Sequence, residues 1–486
     1  MSTKFASIIV TILLVGVLLV AFTRYYSLAS DLASTESARG GKGYVSDEVW
    51  YVSSARNILR KVFKVNVSPP DRAGASVIFS DPIGVSKLEA FIEEHGFEVK
   101  IVDTGYSEIN AVYFEAEDSH SLKVFVEALT RRYRVEDVVW GWRIPDAEGI
   151  NNYMNLEHPP LGKYVIGVSM LLYGDHPLAW RYPSIVAGVL IVLFTYLVML
   201  KLTSDKWLSL VVSLLVSMDP IMRALSSTAL LDIYVALFTT LSLYFLVARK
   251  LYIALVVSIA GSTFKFNTLF TLIPIWLIAL RKELKAEPTL EKLMETVVKL
   301  FLVTLALFML FQVIVSIPLI AHIGFNAWVQ QSIIGAFKWH ASIKCTGSSC
   351  PISSTPWEWF LGVNGFPLYY FSQERALVAM GFWPIWTIAL SYATLLLPAY
   401  RVNRKLAPLL VFFLGTLLGY VFLWLIGGKT QYSFYSVQFA PLVYMLVVLG
   451  FVEVILKRDK LGSILYSWIL VLRLMWRALL KLLVIE

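Results

Sequence analysis

Two carboxylates stand side by side at Asp47-Glu48, soon after an apolar run from Phe5 to Phe22. A carboxylate at such a place can take the proton of a hydroxyl, and a nearby cation can hold an anion that departs as the hydroxyl oxygen attacks. Asp47 is the candidate base, and Glu48 the neighbour that orients the acceptor or tunes the base. Adjacent residues of a helix point about 100° apart, so the two need not share a proton. The candidate cations are Lys163, Arg181, Arg223, Lys265 and Lys429. Lys163 follows Glu157-His158-Pro159-Pro160-Leu161-Gly162, and Arg181 opens an apolar segment at Trp180-Arg181-Tyr182-Pro183-Ser184. Asp232 lies in a long apolar run, where an ionisable group is costly and is a functional candidate, and Lys265 is its candidate partner or a phosphate ligand.

The elements that carry these residues belong to a membrane. The 486 residues are 57% hydrophobic and 16% charged, and apolar runs of spanning length recur through most of them. Span one is expected at 5–26, a small polar linker at 27–43, and a helix at 47–60 capped by Ser46 with the acidic pair in its first turn. Lys4 precedes the first run, so a cleaved signal peptide is weighed; with many spans following, an uncleaved signal-anchor is expected. Further spans are expected at 181–200, 207–220, 229–248, 251–266, 267–281, 296–320, 376–399, 406–426 and 432–456. The segment 462–485 carries Arg473, Arg477 and Lys481 at a spacing of four and is either a last span or an interfacial helix. Lys163 to Leu172 is too short to span and reads as a helix along the surface, at headgroup depth.

Between the acidic pair and His158 the composition turns soluble. Residues 71–143 hold 14 acidic against 8 basic side chains, although the whole chain has a net charge of +8. Strand signals at 76–80, 97–102, 111–115 and 133–140 and helix signals at 86–95 and 119–131 give β-α-β-β-α-β, the order of a ferredoxin-like fold. The role of this insert is open between binding the acceptor, covering the site and scaffolding.

Orientation follows from the loops. Lys201 and Lys206, Arg249 and Lys250, Arg281, Lys282 and Lys285, Arg401, Arg404 and Lys405, and Lys457, Arg458 and Lys460 fall on alternate sides of the spans, and the positive-inside rule puts them in the cytoplasm. Asp47, the insert and the loop 321–375 are then extracytoplasmic. Cys345 and Cys350, the chain's two cysteines, form a small disulfide hairpin if that loop is outside, and otherwise two free thiols. The basic excess needs no nucleic-acid partner. A transporter would place charges at the midplane of repeated broken spans, and no internal repeat is found; a sensor using the insert would leave Asp47 dispensable.

The residues also carry a resemblance. Asp47-Glu48-Val49 after the first span, His158-Pro159-Pro160-Leu161-Gly162-Lys163, Arg181-Tyr182-Pro183-Ser184, Leu230-Leu231-Asp232, Cys350 to Trp359, and Thr430 to Tyr435 with Pro441 resemble, in this order, motifs of the polyprenyl-phosphate-dependent protein mannosyltransferases. The departures are Trp50 where the family has His, Cys350-Pro351-Ile352 for His-Pro-Tyr, and Lys429 in the place of an Arg. The resemblance implies a GT-C fold of about ten or eleven spans, a dolichyl-phosphate sugar donor, and inversion without a metal or other cofactor. It carries Asp47 and Glu48 over to the catalytic pair, and His158, Lys163, Asp232 and Tyr435 to substrate binding. The aminoarabinose transferases are similar almost as closely. They imply a lipid acceptor, with Glu157, His158 and Asp232 serving a divalent metal. The expected organisation is therefore a first span with the acidic helix at 1–61, an extracytoplasmic insert at 62–142 and a multi-span module at 143–486. The expected enzyme moves a hexose from a polyprenyl phosphate to protein hydroxyls or to a lipid.

Overall fold

The computed structural model describes residues 3–343, 345, 350–398, 406–456 and 461–483. The loop cations Arg401, Arg404, Lys405, Lys457, Arg458 and Lys460 lie outside the described residues, as does the whole segment between the two cysteines. Cys345 and Cys350 are joined by a disulfide bond.

The chain opens with α1 (Thr3–Ala38), which runs far past the expected first span. The stretch 27–38, read from sequence as linker, is helical because Leu28, Ala29 and Leu32 are buried against the bundle and reward its continuation. A turn then leads to α2 (Glu48–Lys61). Ser46 does not cap this helix: its φ is +51°, in the left-handed region, and Asp47 holds the cap position without a side-chain capping bond.

The insert follows as β1 (Ala73–Phe79), α3 (Val85–His95), β2 (Val99–Asp103), β3 (Ala111–Ala116), α4 (Ser119–Arg132) and β4 (Val135–Trp140). The four strands make an antiparallel sheet in the order β2-β3-β1-β4, the split β-α-β arrangement of a ferredoxin-like fold. One face packs on α3 and α4 through Val77, Leu88, Phe114, Phe125 and Leu129. The other is covered by the returning strap 143–153 and by Val49 of α2, through Ile78, Val139, Ile144 and Ile150. Both faces are thus used, and the sheet is a wall of the acidic helix.

The membrane module contains α5 (Leu161–Tyr173), α6 (Pro177–Thr203), α7 (Lys206–Met218), α8 (Pro220–Ser226), α9 (Asp232–Val247), α10 (Leu251–Gly261), α11 (Leu272–Ala286) and α12 (Leu290–Ile323). It continues with α13 (Phe325–Trp328), a π-helical turn, α14 (Gly335–His340), the hairpin β5 (Phe366–Tyr370) and β6 (Ala376–Ala379), α15 (Trp383–Leu396), α16 (Leu406–Leu425), α17 (Ala440–Gly450) and α18 (Leu461–Leu483). Among the described residues six helices are long and apolar enough to cross a membrane, or seven with α7 and α8 taken as one bent span. The chain is an integral membrane protein.

The expected spans at 229–248, 251–266 and 376–399 are replaced by shorter helices of 16, 11 and 14 residues. Buried turns extend α9 and α10; the start of the third segment is strand β6. The 64° bend between α7 and α8 sits at Asp219-Pro220, where proline removes an amide donor. Asp219 fills the break by accepting from the Ile221 amide at 2.9 Å, Trp386 Nε1 at 3.0 Å and Tyr444 Oη at 2.7 Å.

Candidate active site

The two acidic neighbours have different fates. Glu48 is fully buried. Its Oε1 accepts from Arg181 Nε at 2.8 Å and from the Ala229 amide at 2.7 Å; its Oε2 accepts from Arg181 Nη2 at 2.7 Å and from the Val45 amide at 2.8 Å. Arg181 also donates to the carbonyls of Ala29 and Gly43, at 3.0 and 2.9 Å. One carboxylate therefore ties together α1, the start of α2, α6 and the approach to α9. Asp47 points another way and is half-buried.

Asp47 stands among aromatic hydroxyls: its charge acts on Tyr51, Tyr153, Tyr432 and Tyr435. Tyr51, one helical turn beyond Asp47, meets the His158 ring edge-on at 5.7 Å between centroids, and His158 meets His340 at 5.3 Å. His340 lines an apolar cavity of about 340 Å³ with Phe266, Phe270, Phe308, Phe337 and Leu423. A continuous row of rings thus leads from the helix of Asp47 to an apolar chamber.

On the insert side, half-exposed Trp50 packs against Tyr153 at 5.4 Å. Tyr153 donates to Glu157, and Asn155 Nδ2 donates to both, at 2.7 and 2.9 Å. Burial, with the Glu157 charge beside it, holds the Tyr153 hydroxyl well above the usual tyrosine range, so it remains a donor at all ordinary pH. The strap is fixed to α2 by Asn57, which donates to the carbonyls of Ile150 and Tyr153 at 2.7 and 2.8 Å.

The structure redistributes the expected cations. Lys163 is completely buried and gives its ammonium to the carbonyls of Met154, Asn155 and His158. It clamps the turn that presents Glu157 and His158, and is not a phosphate contact. Arg181 is not one either: it is fully buried, and four of its five N–H donors are taken by Glu48, Ala29 and Gly43. Lys265 is 1% exposed and pairs with Asp232, Nζ lying 2.8 Å from both carboxylate oxygens, with its charge 4.5 Å above the Tyr435 ring. That pair is a buried strut behind Tyr435, so Lys265 and Asp232 do not reach a ligand at the surface. Glu48 likewise anchors rather than orients an acceptor.

Of the other two cations, Lys429 is exposed and Arg223 is half-buried. The Lys429 ammonium lies 5.5 Å above the Trp424 ring. Its loop presses on the chain at His340: a Cβ on Gly427 would lie 2.8 Å from the Ala341 carbonyl, and one on Gly428 2.6 Å from that of His340. Glycine permits this approach and brings the loop of Lys429 against His340, a residue of the cavity wall.

Glu157, His158 and Asp232 are not gathered into one ligand set: Glu157 serves Tyr153 and Asp232 serves Lys265. Among the described residues no group of three or more His, Cys, Asp or Glu side chains is placed to hold a metal ion. Tyr51, Tyr153 and His340 escaped the sequence reading. Tyr51 was accessible as the residue four beyond Asp47 on one helix face; nothing in the sequence near His340 announces its contact with His158. The motif stretches at 350–359 and 430–435 do meet, the Ser354 amide donating to the Gln431 carbonyl at 2.8 Å.

Residues 157–315 match the family model described as dolichyl-phosphate-mannose-protein mannosyltransferase. A polyprenol-phosphate-mannose–protein mannosyltransferase of Mycolicibacterium smegmatis is 29% identical over 100 residues, 20% of this chain and 19% of that protein. This chain thus covers about a fifth of the length of the curated relatives it matches. Among solved structures, ArnT from Cupriavidus metallidurans bound to undecaprenyl phosphate aligns with a TM-score of 0.41 and 13% identity, over 65% of this chain and 53% of that one. The Archaeoglobus fulgidus oligosaccharyltransferase in the apo form aligns at 0.37 and 14%, over 65% and 46%.

Proposed function

Because residues 157–315 match the family model described as dolichyl-phosphate-mannose-protein mannosyltransferase, we propose that this chain is a glycosyltransferase. It moves mannose from a polyprenyl phosphate to Ser or Thr hydroxyls of protein on the extracytoplasmic face, without a resident metal. The observation that carries the reading is a row of rings, Tyr51 to His158 to His340, that begins one helical turn from Asp47 and ends in an apolar cavity.

The isoprenoid chain lies in that cavity, and its phosphate reaches Lys429 and His340 at the mouth. Asp47 takes the proton of the acceptor hydroxyl. The hydroxyl oxygen forms the new bond to the anomeric carbon from the opposite face, and the bond from that carbon to the phosphate oxygen breaks. Polyprenyl phosphate leaves with the electron pair, and the anomeric configuration inverts. Tyr51 and Tyr435 wall the sugar. Glu48, held by Arg181, fixes the helix start so that Asp47 faces the acceptor. Low dielectric around the rings strengthens each of these contacts.

The reading is tested by incubating purified protein with radiolabelled dolichyl-phosphate-mannose, a Ser/Thr-rich peptide and a membrane lipid extract. Label on the peptide is expected. Label on lipid alone moves the acceptor to a lipid, and no label on either removes the reading.

A further inference from the structure

The same end of the bundle holds a second set of cations, which the proposed reaction does not use. Arg24 on α1, Arg223 on α8 and Arg375 between β5 and β6 stand close enough for the charges of Arg24 and Arg375 to oppose that of Arg223, with Asp31 as the counter-charge. The Nε atoms of Arg24 and Arg223 are buried and have no hydrogen-bond partner, and among the described residues neither guanidinium closes an ion pair. Arg375 is exposed, its guanidinium 5.1 Å from the Phe371 ring. Two partly buried guanidiniums of like charge, unpaired, are unfavourable without an anion.

The depth of the cluster says what kind of anion. Arg24 is the first charged residue after the apolar run Phe5 to Phe22, where hydrocarbon gives way to the headgroup layer. The next carbonyl of α1, that of Tyr25, accepts from Ser227 Oγ at 2.8 Å, which fixes α1 against the end of α8. Ala29, whose carbonyl holds Arg181, is five residues further along, about 7–8 Å by helical rise. The cluster therefore lies just below the Glu48 anchor, level with lipid phosphates. Guanidinium forks grip phosphate oxygens in pairs.

We propose that Arg24, Arg223 and Arg375 form a binding site for the phosphate headgroup of a lipid, separate from the place of Lys429 and His340. Arg24 and Arg223 supply the partly buried forks, Arg375 closes the rim from the hairpin, and Asp31 limits the site to one anion. The site does not depend on the transferase reading. It serves equally a membrane phospholipid or a polyprenyl phosphate, whose shared group is the lipid-borne phosphate.

The test uses the full chain in neutral detergent and native mass spectrometry, with undecaprenyl phosphate, phosphatidylglycerol, phosphatidylcholine and inorganic phosphate as probes. Retention of one anionic lipid over phosphatidylcholine is expected. With phosphatidylglycerol as the probe, that equivalent should weaken about tenfold or more in Arg24→Gln/Arg223→Gln and persist in Lys429→Gln. Preference between the two anionic lipids identifies the source, and equal binding by inorganic phosphate alone, without a lipid equivalent, overturns the lipid assignment. Equal retention in wild type and the double variant, or equal retention of phosphatidylcholine, also overturns it. If the double variant does not fold, exposed Arg375→Gln decides: weakened retention supports the site, and unchanged retention refutes it.

Discussion

Arg181 and Glu48 meet inside the bundle through two hydrogen bonds of 2.7 and 2.8 Å, both side chains fully buried. The contact separates the acidic pair: Glu48 is the buried anchor, and Asp47 stays half-buried beside it. Removing one member of a buried ion pair leaves a charge uncompensated and costs about 3–5 kcal/mol. Arg181→Met is therefore expected to lower the thermal midpoint in detergent sharply. Glu48→Gln/Arg181→Met should be more stable than the Arg181→Met single variant, because no lone charge remains. Thermal unfolding of the three proteins checks this.

Lys163 and Lys429 should separate in the opposite sense to what sequence spacing implies. Lys163→Met strips a donor from three carbonyls and is expected to lower stability while leaving polyprenyl-phosphate affinity within about twofold for the folded fraction. Lys429→Gln should leave stability unchanged and weaken donor binding about tenfold. Parallel melting curves and donor titrations distinguish the two.

The apolar chamber makes its own prediction. Leu423→Trp puts an indole in place of an aliphatic side chain on the wall of a cavity of about 340 Å³. Affinity for a full-length isoprenoid donor should fall, while a donor shortened to two isoprene units should bind as to wild type. Competition between the two donors measures the ratio.

The insert should loosen from α2 in acid. Arg60 grips Asp137 with Nη1 at 2.6 Å and Nη2 at 2.9 Å, and Asn151 adds a bond at 2.9 Å. Partial burial alone would raise the Asp137 carboxyl, but Arg60, Asn151 and the Val138 amide outweigh it and hold the group below its usual range. A depressed carboxylate contributes stability above its unfolded value of about 3.9 and loses it as pH falls through the folded value. Proteolysis of the strap 143–153 should therefore rise below that pH, and Arg60→Gln should show the rise already at neutral pH.

Much of the architecture was legible because it is periodic. The insert's strands and helices alternate with clear apolar faces, and their order alone named the fold. The membrane character followed from run length. The boundary of α1 was not legible: Ser27 to Ala38 looks like linker, and only burial of Leu28, Ala29 and Leu32 keeps it helical. The site was half legible. Adjacency marked Asp47 and Glu48 but could not say which one faces inward, a matter settled by where α6 brings Arg181. Lys163 was prominent through its motif, yet its ammonium serves the backbone of the very turn that carries His158. The contacts of His340 join residues 182 positions apart in the chain, beyond any local pattern.

The account rests most on Asp47 as the base, and Asp47→Asn tests it directly. Single-turnover transfer from radiolabelled dolichyl-phosphate-mannose, measured beside donor affinity, should fall by about 10²–10⁴ while the donor still binds as to wild type. Transfer at the wild-type rate by the Asn variant would contradict the account.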